Sequence, residues 1–229
     1  MRTFTLGIHI GLVVAILLLS SVSLRADWNE GGPHKMHYPQ LPDPNGWDVN
    51  CTAPQTIADD FRCGADGPIT NIHLWVSWYN DQISAITNIH LSIHSDTMSP
   101  MGYSMPNNPP LWTADITKGF SIRWYGEGNQ GWMEPPQYFE LFNHTNTWQI
   151  NITNIPSPFV QTSGTVYWLD VKIGTMSGFV GWKTSLNHWN DDAVFETTEY
   201  PWLWGELTNP MTFESLDMAF VIEGGEAPE

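Results

Sequence analysis

Basic residues are scarce in this chain, which has 8 Lys and Arg against 24 Asp and Glu and a formal net charge of −16 at pH 7. A nucleic-acid backbone would be repelled by such a charge, so we expect no nucleic-acid partner. The acidic residues are scattered rather than grouped in blocks, so they do not indicate a disordered tail. The charge instead favours solubility and the binding of cations.

Cysteine is also rare, with Cys51 and Cys63 as the two representatives. Their spacing is far from the Cys-x-x-Cys pattern of redox and zinc motifs. In an exported chain we expect them to form a disulfide, with two free thiols as the alternative. Closing a loop this short would contribute on the order of 3 kcal/mol to stability.

The familiar catalytic motifs are absent: there is no Gly-x-Ser-x-Gly and no His-Glu-x-x-His. A glycosidase needs two carboxylates that flank a cleft. Carboxylates are too numerous in this chain to be diagnostic. We therefore predict a non-enzyme, with a polysaccharide-active hydrolase as the least favoured alternative. The carboxylates available to such a hydrolase are Glu134, Glu140, Asp170, Asp191 and Glu206.

Residues 1–26 have the pattern of a secretory signal peptide. Arg2 precedes an apolar run from Leu6 to Leu19, and small residues follow before the polar switch at Asp27. The run is shorter than the roughly 20 residues of a bilayer span, although an uncleaved anchor is the alternative. We predict a secreted protein, extracellular or periplasmic, with no transmembrane anchor after cleavage. Loss of Arg2 and Arg25 leaves a formal charge of −18.

The rest of the chain divides by composition. Residues 27–50 are rich in Pro, Gly and Asn, which predicts an extended arm across the domain. Residues 51–223 hold the predicted domain, and residues 224–229 a short acidic tail. Segments 69–79 and 86–94 alternate apolar and polar residues with the period of a strand, and we expect them to form a hairpin.

Further strands are predicted between loops that carry Pro or Gly, and no segment keeps a helical period over three turns. Short strands with frequent turns indicate an all-β fold, an antiparallel two-sheet β-sandwich that is jelly-roll-like. Residues 98–110 and 126–136 are expected to be loops. The further strands are 120–125, 147–152, 165–173, 179–183, 193–196 and 216–223.

Two acidic groups are candidates for a structural calcium site. Asp59 and Asp60 begin an early strand and Asp217 lies in the last one, and sandwiches often bring first and last strands together. Calcium prefers carboxylate and carbonyl oxygens. Asp191 and Asp192 form a second candidate. The alternative is that these acids accept backbone hydrogen bonds and shape turns, and neighbouring residues of a strand point to opposite faces.

Thirteen tryptophans are many for one core, so we expect an exposed aromatic patch. Trp75 and Tyr79 fall opposite the apolar stripe of their strand, and with His73 and His90 they would form a platform for sugar rings. Trp189 is a candidate at the sandwich rim. The alternative is that most of these rings lie in the core or under the arm. His73, His90 and His94 would share a face of the hairpin and could bind zinc or copper, although no fixed ligand spacing supports this.

Several segments resemble a known family when taken in order. They include 40–49, Ala58-Asp59-Asp60-Phe61, 67–78, Gly164-Thr165-Val166-Tyr167-Trp168-Leu169-Asp170-Val171, 181–185, Trp189-Asn190-Asp191-Asp192-Ala193-Val194 and Ser215-Leu216-Asp217-Met218-Ala219-Phe220. The family is a domain-of-unknown-function family of secreted bacterial and archaeal proteins, and the resemblance covers nearly all of residues 40–223. It implies an extracellular β-sandwich and no established activity.

We therefore predict a non-catalytic extracellular module that binds glycan or cell-surface matrix. The first alternative is a structural or protein-interaction domain of the cell envelope.

Overall fold

The computed structural model describes residues 27–136, 138–196 and 204–224. The predicted signal peptide and all but the first residue of the predicted tail lie outside these ranges. No helix among the described residues is long and apolar enough to cross a membrane. The strands are β1 Trp47–Asn50, β2 Ile57–Arg62, β3 Gly67–Pro68, β4 Asn71–Trp78, β5 Ile86–Met98, β6 Ser104–Pro106, β7 Trp112–Ile116, β8 Phe120–Glu134, β9 Tyr138–Ile152, β10 Val160–Gln161, β11 Val166–Thr175, β12 Val180–Lys183, β13 Val194–Glu196, β14 Trp204–Glu206 and β15 Phe220–Glu223, with a 3-10 turn at Tyr79–Asp81.

Two sheets contain all but two of these strands. The first has the order β12-β1-β8-β9-β4-β15, and the second has the order β14-β13-β2-β11-β5-β6, with β7 beside β5. The short strands β3 and β10 pair with each other. Among the pairings of the described strands only β1 with β8 is parallel, and an isolated parallel bridge joins Thr52 to Ile173. The chain crosses between the sheets repeatedly, and the β8–β9 hairpin stays within one sheet, as in a jelly roll. The predicted all-β sandwich is confirmed.

The core lies between the two sheets. Alternation along β4 buries Ile72, Leu74 and Val76, and alternation along β5 buries Ile89, Leu91 and Ile93 in the same cluster. The predicted hairpin of these two segments is wrong, because β4 pairs with β9, β12 and β15, whereas β5 pairs with β6, β7 and β11. An apolar stripe fixes which face of a strand is buried, but not which strand lies beside it.

The predicted loop at 126–136 is mostly strand β8, which shows why its glycines are there. A Cβ atom at Gly128 would lie 1.6 Å from the carbonyl oxygen of Pro44, and one at Gly131 would lie 2.4 Å from the Trp47 ring. Glycine in a strand often marks such a close approach of backbone. These glycines let the segment before β1 lie against β8. The predicted loop at 98–110 likewise contains the short strand β6.

The first sheet closes on itself, because β12 pairs with β4 as well as with β1. The strands β12, β1, β8, β9 and β4 thus form a ring that encloses polar side chains. Lys183 Nζ donates to Asp48 Oδ2 over 2.9 Å, and His144 Nε2 lies 2.8 Å from the same oxygen. All three residues are buried. Burial raises the pKa of Asp48. The charge of Lys183 and the contacts of His144 outweigh this effect and hold the pKa below its ordinary value.

Candidate functional site

The predicted aromatic platform on β4 does not form. Trp75 is fully buried, with its ring edge-on to Trp28 at 6.0 Å and to Tyr125 at 5.5 Å. His73 is also buried, and its Nδ1 lies 2.6 Å from Asn151 Oδ1. The prediction of these two residues as exposed ligand contacts is therefore wrong. The segment around Trp28 covers the outer face of β4, so alternation along that strand does not imply exposure.

The other predicted contacts lie in different parts of the fold, and of these Tyr79 directly follows β4. His90 is on the second sheet, where its Nδ1 is 3.0 Å from Asp115 Oδ1. Tyr79 donates a hydrogen bond from its hydroxyl to Glu140 over 2.8 Å. Trp189 is half-buried and stacks on His37, with 4.3 Å between ring centroids.

The histidine metal site is also wrong, because His73 and His90 belong to different sheets. His94 is buried and is held by Asp170, whose Oδ2 lies 2.8 Å from His94 Nε2. The third imidazole is thus already engaged with a carboxylate and cannot complete a site with the other two.

The cysteines are free rather than bonded to each other, so the predicted disulfide is wrong. Cys51 accepts the amide hydrogen of Ile173, and Cys63 donates its amide hydrogen to Thr165. Thr165 directly precedes β11 and Ile173 lies near its far end, so the two are about 26 Å apart at the rise of a strand. A disulfide requires Cα atoms within roughly 7 Å.

The three acids of the first calcium candidate do come close together. Asp59 accepts hydrogen bonds from Gln40 Nε2 (2.9 Å) and the Met218 amide (2.7 Å), next to Asp217 in the chain. Asp217 accepts one from the Trp189 amide over 2.6 Å. Asp60 accepts one from Asn190. One oxygen of Asp60 is buried without a hydrogen-bond donor, and the buried Oδ1 of Asp217 has His188 Nδ1 at 3.5 Å.

Burial shifts the protonation of these acids. Burial raises the pKa of Asp60 to about 8; the Asn190 hydrogen bond opposes this, and the negative charges of Asp217, Asp96 and Asp191 add to it. Burial likewise raises the pKa of Asp217 to about 6, against the Trp189 amide and His188.

Over the part of the chain that the structure describes, no group of three or more His, Cys, Asp or Glu side chains is placed to hold a metal ion. Asp191 accepts a hydrogen bond from the Ser104 amide, and Asp192 accepts one from the Ser215 hydroxyl. These bonds match the alternative in which the acids shape turns. Calcium stays a prediction.

A pocket of about 260 Å³ lies where the tip of the β8–β9 hairpin meets the segment that follows β14. Its walls combine aromatic rings, prolines and two glutamates. We call it the aromatic pocket. Its lining includes Glu134, Tyr138, Phe139, Phe195, Glu206 and Phe213.

Local structure sets the shape of the aromatic pocket. Phe195 on β13 pairs with Gly205 on β14, where a Cβ atom would lie 2.6 Å from the far edge of the Phe195 ring. Asn209 accepts amide hydrogens from Met211 and Thr212 and so closes the turn that presents Phe213.

Phe213 has the features of a contact residue. It is 79% exposed, and its φ of +63° is in the left-handed region, which is strained for a bulky side chain. Strain of this kind clusters at functional sites. Phe139 is also exposed, and its ring meets Trp47 edge-on at 5.8 Å, which anchors this wall to β1.

The aromatic pocket is acidic. Glu134 and Glu206 line it, and no Lys, Arg or His is among its described lining residues. Partial burial raises the pKa of Glu206, and the negative charges of Asp192 and Asp191 raise it further. The acidic residues of the second calcium candidate are thus neighbours of this pocket.

Sequence reasoning identified Glu134 and Glu206 as spare carboxylates, but it missed Phe139, Phe195 and Phe213. The Asn-Pro turn at 209–210 followed by an aromatic residue is a signal that could have indicated Phe213. No pattern in the sequence shows that the hairpin tip and this turn meet.

The fold and the pocket define the protein as a β-sandwich with an aromatic, acidic pocket at its surface. The chain belongs to a family described as "Domain of unknown function (DUF7901)", whose model matches residues 36–223. This confirms the resemblance to a domain-of-unknown-function family. Comparisons with curated proteins and with solved structures gave no significant match.

Proposed function

We propose that this protein is a non-catalytic extracellular binding module and that it binds glycan in the aromatic pocket. The observation that carries this proposal is the convergence of four aromatic rings and two glutamates on one pocket. Aromatic rings present flat apolar faces to a sugar ring, and carboxylates accept hydrogen bonds from its hydroxyls.

The size of the aromatic pocket supports a small ligand group. Its volume of about 260 Å³ is just below the roughly 300–1,000 Å³ of pockets that enclose drug-sized ligands. One sugar residue of a chain, rather than a long segment, matches this volume. The extracellular location is supported by the leader pattern of residues 1–26 and by the acidic composition.

The test is binding of the purified protein to a glycan array, followed by titration of a bound glycan. The Phe213→Ala variant should weaken binding about tenfold, equivalent to about 1.4 kcal/mol of lost contact. The matched control is Phe142→Ala, because Phe142 is also exposed (76%) with a positive φ of +54° but does not line the pocket. Equal loss in both variants would contradict the assignment of the site.

A structural or protein-interaction domain is the second candidate. It is favoured by Leu141 and Phe142, which are exposed apolar residues on β9 beyond the aromatic pocket. Folded protein that binds no glycan on the array would favour this candidate. Turnover of a bound glycan that is lost in Glu206→Gln would instead indicate a hydrolase.

A further inference from the structure

The negative charge of the aromatic pocket is not balanced by a basic residue among its described lining residues. Glu134 and Glu206 both line the pocket, and none of the described lining residues is basic. Asp191 and Asp192 lie close enough to act electrostatically on Glu206. A ligand that fills the pocket removes water from these carboxylates, which is unfavourable unless the ligand brings compensating charge or hydrogen bonds.

The aromatic walls favour the same kind of charge. The faces of Tyr and Phe rings are the negative ends of their quadrupoles and attract a cation placed within about 6 Å. Tyr138, Phe139, Phe195 and Phe213 supply four such rings to the same pocket that Glu134 and Glu206 line. Together they form the chemical environment that recognises an organic ammonium group.

We infer that the aromatic pocket binds a glycan residue that carries a protonated amine, a hexosamine whose amino group is free rather than acetylated. This inference rests on the proposed glycan-binding function and names its ligand class. The ammonium group pairs with Glu134 and Glu206, and the apolar face of the sugar ring stacks on the aromatic side chains. A charge-assisted hydrogen bond of this type is about twice as strong as a neutral one.

Other sugar classes fit the pocket less well. An acidic sugar would place a like charge next to two carboxylates, which disfavours binding. A neutral sugar would satisfy hydrogen bonds but leave the carboxylate charge unpaired. The net charge of −16 also attracts a cationic polymer toward the protein and repels an anionic one.

The experiment is calorimetric titration of the purified protein at pH 6.5 with three hexasaccharides: the glucosamine, N-acetylglucosamine and glucose oligomers. At this pH an amine with a pKa near 7.7 is mostly protonated. The glucosamine hexamer should bind at least about tenfold more tightly than either neutral hexamer. Raising NaCl from 50 to 500 mM should weaken its binding while leaving neutral hexamers unaffected.

The variants Glu206→Gln and Glu134→Gln remove charge at constant shape, and each should remove most of the preference for the amine. The matched control is Glu127→Gln, an exposed carboxylate on the same strand as Glu134 that lines no part of the aromatic pocket. It makes the same change in total charge and should leave the preference intact.

The outcomes separate this inference from the proposed function. Equal binding of all three hexamers, unchanged in Glu206→Gln, would overturn the amine inference and leave glycan binding standing. No binding of the glucosamine hexamer to folded protein would overturn the amine inference, and no binding on the glycan array as well would overturn both. Binding of a lysine hexapeptide with no binding of the glucosamine hexamer would overturn both as well, since it would assign the pocket to peptides.

Discussion

Trp75 and Phe213 show how differently two aromatic side chains are used in this protein. Trp75 is fully buried between Trp28 and Tyr125, so we expect Trp75→Ala to lower the free energy of unfolding by about 3–5 kcal/mol. The control Trp124→Ala removes a half-exposed ring and should cost less than about 1 kcal/mol. Urea unfolding measures both changes, and equal values would contradict the burial of Trp75.

Asp60 makes stability depend on pH. Its pKa of about 8 in the folded protein exceeds the ordinary value of 3.8, so between these values the folded state holds a proton that the unfolded state has lost. Stability therefore falls as pH rises through this window and levels off above it. Asp217, with a pKa of about 6, adds to the decline between 3.8 and 6.

The measurement is the thermal midpoint from pH 6.5 to pH 8 in a chelating buffer, above the range in which His37, whose pKa burial lowers to about 4, makes stability rise with pH. We expect the wild-type midpoint to fall by at least about 4 °C, more than 1 kcal/mol for a domain of this size. Asp60→Asn should flatten this decline. A wild-type midpoint that rises with pH over the same range would contradict the shift at Asp60.

Predictability from the sequence differs between these residues. The sequence predicts that Asp217 meets Asp59 and Asp60, because sandwiches often bring first and last strands together, and the structure does bring them close. The exposure of Trp75 could not be predicted, because alternation identifies the face of a strand but not what covers that face. The position of Phe213 in the aromatic pocket depends on contact between two segments that are distant in the sequence. A local sequence pattern does not encode such a contact.

At the scale of strands, the ring of the first sheet depends on its enclosed charges. Lys183→Met removes one partner of Asp48 at similar volume and leaves a buried carboxylate with His144 alone. We expect a loss of about 3–5 kcal/mol in the free energy of unfolding. The double variant Asp48→Asn with Lys183→Met should recover part of it, since no unpaired charge remains. Urea unfolding of the cycle gives the coupling energy, and additive losses would contradict the pairing.

The sequence pattern indicated which segments form strands, but it did not indicate which strands pair with each other. Period-two alternation identified Asn71–Trp78 and Val166–Thr175 within two residues at each end, but it covered less than half of β8 and β9, which have 15 residues each. The same alternation in β4 and β5 suggested a hairpin, yet these strands face each other across the core. The disulfide failed for a related reason: Cys51 and Cys63 are close in sequence, but the strand β2 between them spans the length of the sheet.

At the scale of the whole molecule, the excess of acidic residues makes calcium a testable stabiliser. At pH 8 the charge of −16 opposes folding by self-repulsion, and Asp60 keeps a buried oxygen without a donor close to the carboxylate of Asp217. A cation that binds there stabilises the folded state only. At a concentration 100 times its Kd it would add about 2.7 kcal/mol, which raises the thermal midpoint by about 5–10 °C.

Stabilisation by general screening of the negative charge must be distinguished from stabilisation by calcium bound at a site. NaCl at the ionic strength of 1 mM CaCl2 screens equally, so it should leave the midpoint at pH 8 nearly unchanged if calcium acts at a site. Asp60→Asn and Asp217→Asn should each remove the calcium effect, whereas Glu127→Asn, an exposed acid outside the cluster, should keep it. Equal stabilisation by the two salts, or an effect that survives in Asp60→Asn and Asp217→Asn, would reduce calcium to a screening ion.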